Sequence, residues 1–270
     1  MRYLWLCVLT LLAGSAIARD LAEVRSSGIL KVAVYREFAP FNDEGRGIEV
    51  DLAKRLADKL GVKVSLLPFE AGENMEDDLR NMVWKGHYLG YGPADVMLHV
   101  PVDKVFMERN KQVAVFAPYF RETLQIAWDH AKIDSCETLS PLAGHLIGAE
   151  GDSIGSIALL AAENGRLRNN VKHFRSIEEA VKAMRDGGVS AVVGMRSQLE
   201  GAMAGEWKNY RIGNPPLPGL PQAGWVVGMA VKSDFKDLAR ALQQALNELD
   251  ADGSLDRIFE AHHVKRLRPL

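Results

Sequence analysis

Two side chains in the first half of the chain have the types and positions that suit binding of a small charged molecule. Arg109 lies just ahead of the apolar run Val113–Phe116. A guanidinium is permanently charged and can donate two parallel hydrogen bonds to a carboxylate. His99 ends a predicted strand, where an imidazole can contact a ligand, act as a general base or form a local hydrogen bond. A surface arginine paired with Glu108 remains the alternative for Arg109.

The usual signatures of an enzyme or of a cofactor site are missing from the sequence. It contains no Gly-x-Ser-x-Gly elbow, P-loop, His-Glu-x-x-His motif or dinucleotide fingerprint. His262 and His263 are adjacent, so on a helix they would point about 100° apart and make poor joint metal ligands. Cys7 lies in an apolar N-terminal run, which leaves Cys136 without an internal partner. We therefore predict no cofactor, no metal and no enzymatic activity.

The N-terminus predicts export from the cytoplasm. Arg2 is followed by an apolar stretch and then by Ala16-Ile17-Ala18, the small-x-small pattern of a signal-peptidase site. The stretch is about a dozen residues, too short to span a bilayer comfortably. We expect cleavage after Ala18 and a periplasmic product without a membrane span. A net charge of −2 and the lack of a basic run argue against nucleic acid as a partner.

Short apolar strands alternate with amphipathic helices along the rest of the chain. The first group has predicted strands at 29–35, 62–69 and 95–100, with helices at 48–60 and 75–85. The second group has strands at 146–149, 171–174 and 191–193, with helices at 153–164, 177–185 and 198–206. Such alternation is typical of an α/β fold with a mostly parallel sheet. Because this alternation occurs in two separate groups, we predict two α/β units.

Two segments are predicted to cross between these units. One is 120–127, and the other is the proline-rich segment 214–221, which leads into a strand at 225–231. Two helices, at 239–249 and 255–259, close the chain. The predicted organisation is a signal peptide over 1–18, a first lobe of 19–120 plus 224–270, and a second lobe of 121–223. A cleft between two lobes is a favoured setting for a small ligand.

Several short motifs, in order along the chain, resemble the periplasmic amino-acid-binding branch of the solute-binding proteins of ABC transporters. They are Phe38-Ala-Pro-Phe41, Gly47-Ile-Glu-Val-Asp-Leu-Ala53, Asp95-Val-Met97, Glu108-Arg109 running to Pro118-Tyr119, Gly187-Gly-Val-Ser-Ala-Val-Val193 and Leu249-Asp-Ala-Asp-Gly-Ser-Leu255. The resemblance implies a type II periplasmic-binding-protein clamshell of two α/β lobes joined by two hinge crossovers. Such a protein closes on a small solute and presents it to an ABC permease.

The resemblance also implies roles for particular residues. Arg109 matches the arginine that grips the ligand's carboxylate. Phe38 matches the aromatic side chain that covers the ligand, and packing against Phe41 is its alternative. Asp152 and Ser153 match the helix N-terminus that offers N–H groups and a hydroxyl to the same carboxylate. Both could instead cap that helix, and a capping aspartate would repel an anion.

Other positions depart from the pattern of the family. Where amino-acid binders have small hydroxyl residues after the third strand, this chain has His99, Val100 and Val102. Met195 stands where an aspartate pairs with the ligand's α-ammonium group, and a methionine cannot balance an ammonium ion. The predicted solute is therefore small, anionic or zwitterionic, and carries a carboxylate.

Two alternatives follow from looser resemblances. The segment 95–103 is similar to proteins that accompany periplasmic PQQ-dependent quinoprotein alcohol dehydrogenases, which would make such a dehydrogenase the partner in place of a permease. A cleft lyase of the cyclohexadienyl dehydratase type, with Glu150 or Asp152 as its acid, is the second alternative.

Overall fold

The computed structural model describes residues 18–269, so all but the last residue of the predicted signal peptide lies outside the described residues. The strands are β1 (Ile29–Tyr35), β2 (Lys63–Phe69), β3 (Val96–Pro101), β4 (Val113–Glu122), β5 (Leu124–Asp129), β6 (Ile147–Glu150), β7 (Val171–Phe174), β8 (Ala191–Met195), β9 (Tyr210–Gly213) and β10 (Trp225–Lys232). The helices are α1 (Leu21–Ser27), α2 (Ile48–Leu60), α3 (Met75–Leu79), α4 (Lys104–Arg109), α5 (Ile154–Ala161), α6 (Ile177–Arg185), α7 (Arg196–Met203), α8 (Lys236–Ala251) and α9 (Ser254–Ala261).

The strands form two five-stranded sheets, in the orders β2-β1-β3-β10-β4 and β7-β6-β8-β5-β9. In the first sheet, β1 pairs in parallel with β2 and β3, and β10 runs antiparallel between β3 and β4. In the second, β6 pairs in parallel with β7 and β8, and β5 runs antiparallel between β8 and β9. This repeated arrangement confirms the predicted α/β clamshell class.

Helices cover the sheets, and for this reason the central strands are mostly apolar. In β3 every residue from Val96 to Val100 is buried. Strands that are covered on both faces have such continuous runs because neither face meets water. On α2, the buried side chains Ile48, Leu52 and Leu56 follow a helical spacing and join the core of the first sheet. Each such side chain contributes about 1.5–3 kcal/mol on full burial.

The structure differs from the predicted elements mainly around short helices. The helix expected at 75–85 is α3 followed by a π-helical turn, Arg80–Trp84. Helix α4 was not predicted, since Val105 and Met107 are exposed and it therefore has no buried stripe. What starts this helix is the Asp103 side chain, which accepts a hydrogen bond from the Phe106 N–H at 2.8 Å.

Two chain crossings connect the sheets, close to the predicted segments. Only Thr123 separates β4 from β5, and residues 214–224 lead from β9 back to β10. The crossings touch at Gly224, whose φ is +70° and where a Cβ atom would lie 1.8 Å from the carbonyl oxygen of Glu122. Only glycine permits this approach. The residue limits of the two lobes remain a prediction.

The C-terminal segment after α9 runs alongside the crossings. The backbone N–H of Arg121 donates to the carbonyl of Leu267 at 2.9 Å, and the side-chain Nη1 of Arg196 donates to the carbonyl of Lys265 at 3.0 Å. Arg121 lies on a strand of the first sheet, and Arg196 begins a helix that packs on the second. The segment therefore holds both units next to the point where the chain crosses.

Candidate functional site

A cavity of about 510 Å³ lies at the carboxyl ends of the parallel strands of the first sheet and reaches the second sheet through Met195. Its lining comes from the loops after β1 and β2, the end of β3 and the start of β10, and consists of Tyr35, Arg36, Glu37, Phe38, Glu70, Ala71, Met75, His99, Pro101, Met195, Trp225 and Val227. A larger cavity, of about 620 Å³, lies between α2 and α9 and is lined only by residues of those two helices. We take the first as the candidate site, because α/β sheets bind ligands at this end of their strands.

Aromatic side chains form one wall of this cavity. Phe38 stacks on Phe41 with ring centroids 5.1 Å apart, and it meets Tyr35 edge to face at 5.9 Å. The Tyr35 hydroxyl donates to Asp78 Oδ2 at 2.8 Å, so the ring is held in place while its polar end is occupied. Burial and this carboxylate raise the pKa of Tyr35 well above its usual value. The wall is thus a fixed aromatic surface, suited to a flat or cationic group.

A buried carboxylate supports His99 from behind the cavity. His99 Nδ1 lies 2.7 Å from Glu49 Oε1, and the Tyr119 hydroxyl donates to the same oxygen at 2.5 Å. The His99 backbone N–H in turn donates to the Tyr119 hydroxyl at 2.9 Å. Glu49 is fully buried, and its Oε2 has no partner among the described residues. Burial and the Glu49 carboxylate raise the pKa of Tyr119 well above its usual value.

Local chain geometry explains why Glu49 points inward at the first turn of α2. Gly47 precedes the helix with φ +137°, and a Cβ atom there would lie 2.3 Å from the carbonyl oxygen of Phe41. The Glu49 N–H donates to that carbonyl at 2.9 Å. The loop that carries Phe38 is therefore folded tightly onto the start of α2. This packing places Glu49 beneath the aromatic wall instead of in solvent.

A smaller cavity, of about 390 Å³, adjoins the candidate site, and the two share Glu37 in their linings. Both sheets contribute to its acidic lining: Glu37, Asp43 and Glu44 come from the loop after β1, and Glu150 and Glu178 come from the second unit. Burial and the neighbouring charge of Glu178 raise the pKa of Glu150. No group of three or more His, Cys, Asp or Glu within the described part of the chain is arranged to hold a metal ion.

A further buried carboxylate lies at the crossing between the sheets. Glu122 ends β4, and its Oε1 accepts the Thr123 N–H at 2.9 Å. Its Oε2 accepts the hydroxyl of Ser197, at the start of α7. Burial raises the pKa of Glu122, although these donors oppose the shift. The carboxyl group therefore links the crossing strand to a helix of the second unit.

Three of the predicted site residues line the first cavity: Phe38, His99 and Met195. Arg109 does not. It ends α4, its side chain is exposed, and it forms no hydrogen bond or ion pair with residues 18–269, including the alternative partner Glu108. That Arg109 grips a carboxylate therefore stays a prediction, which the lining of this cavity does not support. Arg109 is the last residue of helix α4, which was not predicted.

The remaining predicted residues lie outside the cavity lining. Val100 is fully buried in the core, and Val102 packs against Gly228 of β10. Ser153 caps α5, since its hydroxyl oxygen accepts the Ser156 N–H at 3.1 Å, so the capping alternative holds for Ser153. Asp152 is exposed in a left-handed backbone conformation and makes no cap hydrogen bond. None of these four residues contributes to the cavity that His99 lines.

Sequence reasoning missed several residues of this site. Glu49 and Tyr119 were only parts of motifs. Trp225 and Tyr35 were placed on strands without a role. One feature of the sequence could have indicated a role for Glu49: it is an acidic residue among the apolar positions that α2 buries. Its contact with His99 joins residues far apart in sequence and is visible only in three dimensions.

Comparisons with known proteins agree with this architecture. No family model matches the chain. The chain is 25% identical to the glutamine-binding protein GlnH of a Bacillus subtilis ABC transporter, over 82% of this chain and 74% of that protein. It is 23% identical to ABC transporter arginine-binding protein 1 of Escherichia coli, over 94% of this chain and 97% of that protein.

A solved structure shows the same fold. An ancestral cationic amino acid solute-binding protein has a TM-score of 0.70 and 20% identity, covering 90% of this chain and 99% of the other. Together with the two relatives, it confirms the resemblance to the amino-acid-binding proteins of ABC transporters. Within residues 18–269, no helix is long and apolar enough to cross a membrane.

Proposed function

We propose that the protein is the solute-binding component of an ABC uptake system and closes on a small amino acid that carries a positive charge on its side chain. The observation that supports this most directly is the pair of adjoining cavities. One has an aromatic wall, the other is lined by five carboxylates, and both include residues of the two sheets. The export signal predicted at the N-terminus places this function in the periplasm.

The charges of the two cavities favour a cationic side chain over a purely anionic solute. Arg36 is the only arginine or lysine among the described lining residues, and its guanidinium already pairs with Glu70 at 3.2 Å. An anion would meet uncompensated repulsion from the carboxylates around Glu37. A guanidinium or ammonium group would find opposite charge and an aromatic face, which together are worth about 0.5–2 kcal/mol per good contact. The solute's carboxylate remains part of the proposal.

Binding would work by closure of the two units on the solute. Contacts that form only when residues of both sheets surround the solute shift an open–closed equilibrium by their difference in affinity. Glu37 and Glu150, which belong to different units, both line the acidic cavity. The closed form would then be presented to a membrane permease. We propose neither a quinoprotein partner nor a lyase reaction.

Thermal shift and calorimetric titration test this function. The purified protein, freed of co-purified solute, is titrated with L-arginine, L-lysine, L-glutamine and L-glutamate. We expect L-arginine or L-lysine to raise the melting temperature most and L-glutamate least. Phe38→Ala should weaken the best binder by about tenfold, equivalent to ~1.4 kcal/mol.

Two variants serve as matched controls for Phe38→Ala. Tyr88 is an aromatic residue outside both cavities with 88% of its surface exposed, and Arg109 is an exposed cation. Tyr88→Ala and Arg109→Ala should leave affinity within about twofold, as expected for surface changes. If no amino acid raises the melting temperature, or if L-glutamate binds best, the proposed function is wrong.

A further inference from the structure

We propose that His99, held by Glu49, is the group that binds the carboxylate of the solute, in the role that the sequence assigned to Arg109. This inference rests on the proposed function and names the contact that recognises one end of the amino acid. It is carried by the geometry of His99, Glu49 and Tyr119 and by the charges around them.

The first step concerns the free nitrogen of the ring. Nδ1 is occupied by Glu49 at 2.7 Å, whereas Nε2 makes no hydrogen bond with residues 18–269. His99 lines the cavity although only 7% of its surface is exposed. A histidine whose Nδ1 is fixed by a carboxylate has its tautomer and ring orientation fixed as well. Nε2 is therefore the polar atom that His99 can offer to a solute.

The second step concerns the proton. Glu49 is fully buried, and among the described residues no arginine or lysine pairs with it. An uncompensated buried carboxylate costs several kcal/mol, and a second proton on the His99 ring would compensate the charge of Glu49. When that proton is on His99, both ring nitrogens are donors and Nε2–H can donate to a carboxylate. The positive charge of the ring is then balanced by Glu49.

Aromatic rings and charged groups surround His99. Phe38 and Phe41 lie at steep angles to the imidazole, with centroids 4.8 and 4.5 Å away. The titratable and charged groups that face His99 from the neighbouring elements are Tyr35 on β1, Glu49 on α2, Tyr119 and Glu122 on β4, and Arg36, Glu37 and Glu70 at the rim. Arg36 is the one permanent cation among them.

The arrangement also orients the solute. His99 lies in the aromatic cavity, and Glu37 joins that cavity to the acidic one. A carboxylate at His99 would direct the cationic side chain of the same molecule past Phe38 toward the acidic cavity. The amino acid would therefore bind in one orientation, although position 195 carries a methionine instead of an acidic residue.

The test compares L-arginine with agmatine, which has the same guanidinium but lacks the carboxylate. Wild-type protein should bind L-arginine at least about tenfold more tightly, a difference of ~1.4 kcal/mol. His99→Gln should reduce this preference about tenfold and leave agmatine affinity within about twofold. Phe38→Ala is the matched control, since it should weaken both probes together.

The pH dependence of affinity distinguishes a protonated His99 that contacts the carboxylate from a His99 that has only a structural role. Affinity for L-arginine should fall as the pH rises, because the binding form carries the proton, while affinity for agmatine should not fall. Glu49→Gln removes the group that balances the ring, so it should abolish this difference in pH profile even where affinity remains. Nitrogen NMR of histidine-labelled protein should show His99 protonated at Nδ1 before any solute is added.

Three results would overturn the inference. If His99→Gln leaves the ratio of L-arginine to agmatine affinity unchanged, or if L-arginine affinity rises with pH, His99 does not hold the carboxylate while the proposed function stands. If wild-type protein binds none of the amino acids, the proposed function falls and this inference falls with it.

Discussion

The negative charge of the buried residue Glu122 destabilises the folded state. Burial raises its pKa despite the donors Ser197 and Thr123. A carboxyl with a higher pKa in the folded than in the unfolded state binds more protons when folded. Its contribution to stability is complete below the unfolded pKa and is lost as the pH rises through the folded pKa. We therefore expect stability at this site to decline from acidic toward neutral pH.

Glu122→Gln should remove that decline. The amide keeps an oxygen for the Thr123 N–H and can donate to the Ser197 hydroxyl, so the crossing stays satisfied. The melting temperature of the variant, relative to the wild type, should increase as the pH is raised toward neutral. Glu248→Gln is a control of opposite sign, since a hydrogen bond from Lys59 lowers the pKa of the exposed Glu248. Parallel pH profiles for wild type and Glu122→Gln would contradict the expectation.

At the scale of elements, the C-terminal segment is held by one nearly buried arginine. Arg266 Nη1 contacts Asp250 and Asp256 at 2.5 and 2.8 Å, and its Nε donates to the carbonyl of Tyr119 at 2.7 Å. Its side chain is 4% exposed, against 57% for the neighbouring Arg268, which also pairs with Asp256. The segment thus fastens α8 and α9 to the strand that carries Tyr119.

Arg266→Ala should lower the free energy of unfolding by about 2 kcal/mol, the usual cost of losing hydrogen bonds to a charged group. Arg268→Ala removes an exposed partner of the same carboxylate and should cost less than ~1 kcal/mol. Urea unfolding followed by circular dichroism measures both. Equal losses in the two variants would show that burial of Arg266 is not what stabilises the segment.

At the scale of the whole molecule, the two sheets share few connections. The chain passes between them at Thr123 and through residues 214–224, and the C-terminal segment adds hydrogen bonds to α7. Cavities lined by both sheets lie beside these connections. Small rotations at the crossings would therefore change the cavities while each core stays intact, as in hinged domain closure.

Closure predicts a change of shape on binding. L-arginine at saturation should reduce the radius of gyration measured by small-angle X-ray scattering, and agmatine should do so less. Glu37→Gln, on the residue shared by both cavities, should require more L-arginine for the same change. Tyr88→Ala should behave as the wild type. A radius that stays constant while calorimetry detects binding would contradict closure.

The sequence by itself determined the α/β class, the two units and most elements, because hydrophobic periodicity is local and the cores are large. It also picked out Phe38, His99 and Met195, each beside a predicted strand end. Only the tertiary structure decided which side chains share a cavity. Arg109 ends a helix that has no buried stripe and does not line the cavity with His99. Glu49 reaches His99 because Gly47 lets a loop close over α2. Charge compensation depends on distances between segments that are remote in sequence, and hydrophobic periodicity does not determine those distances.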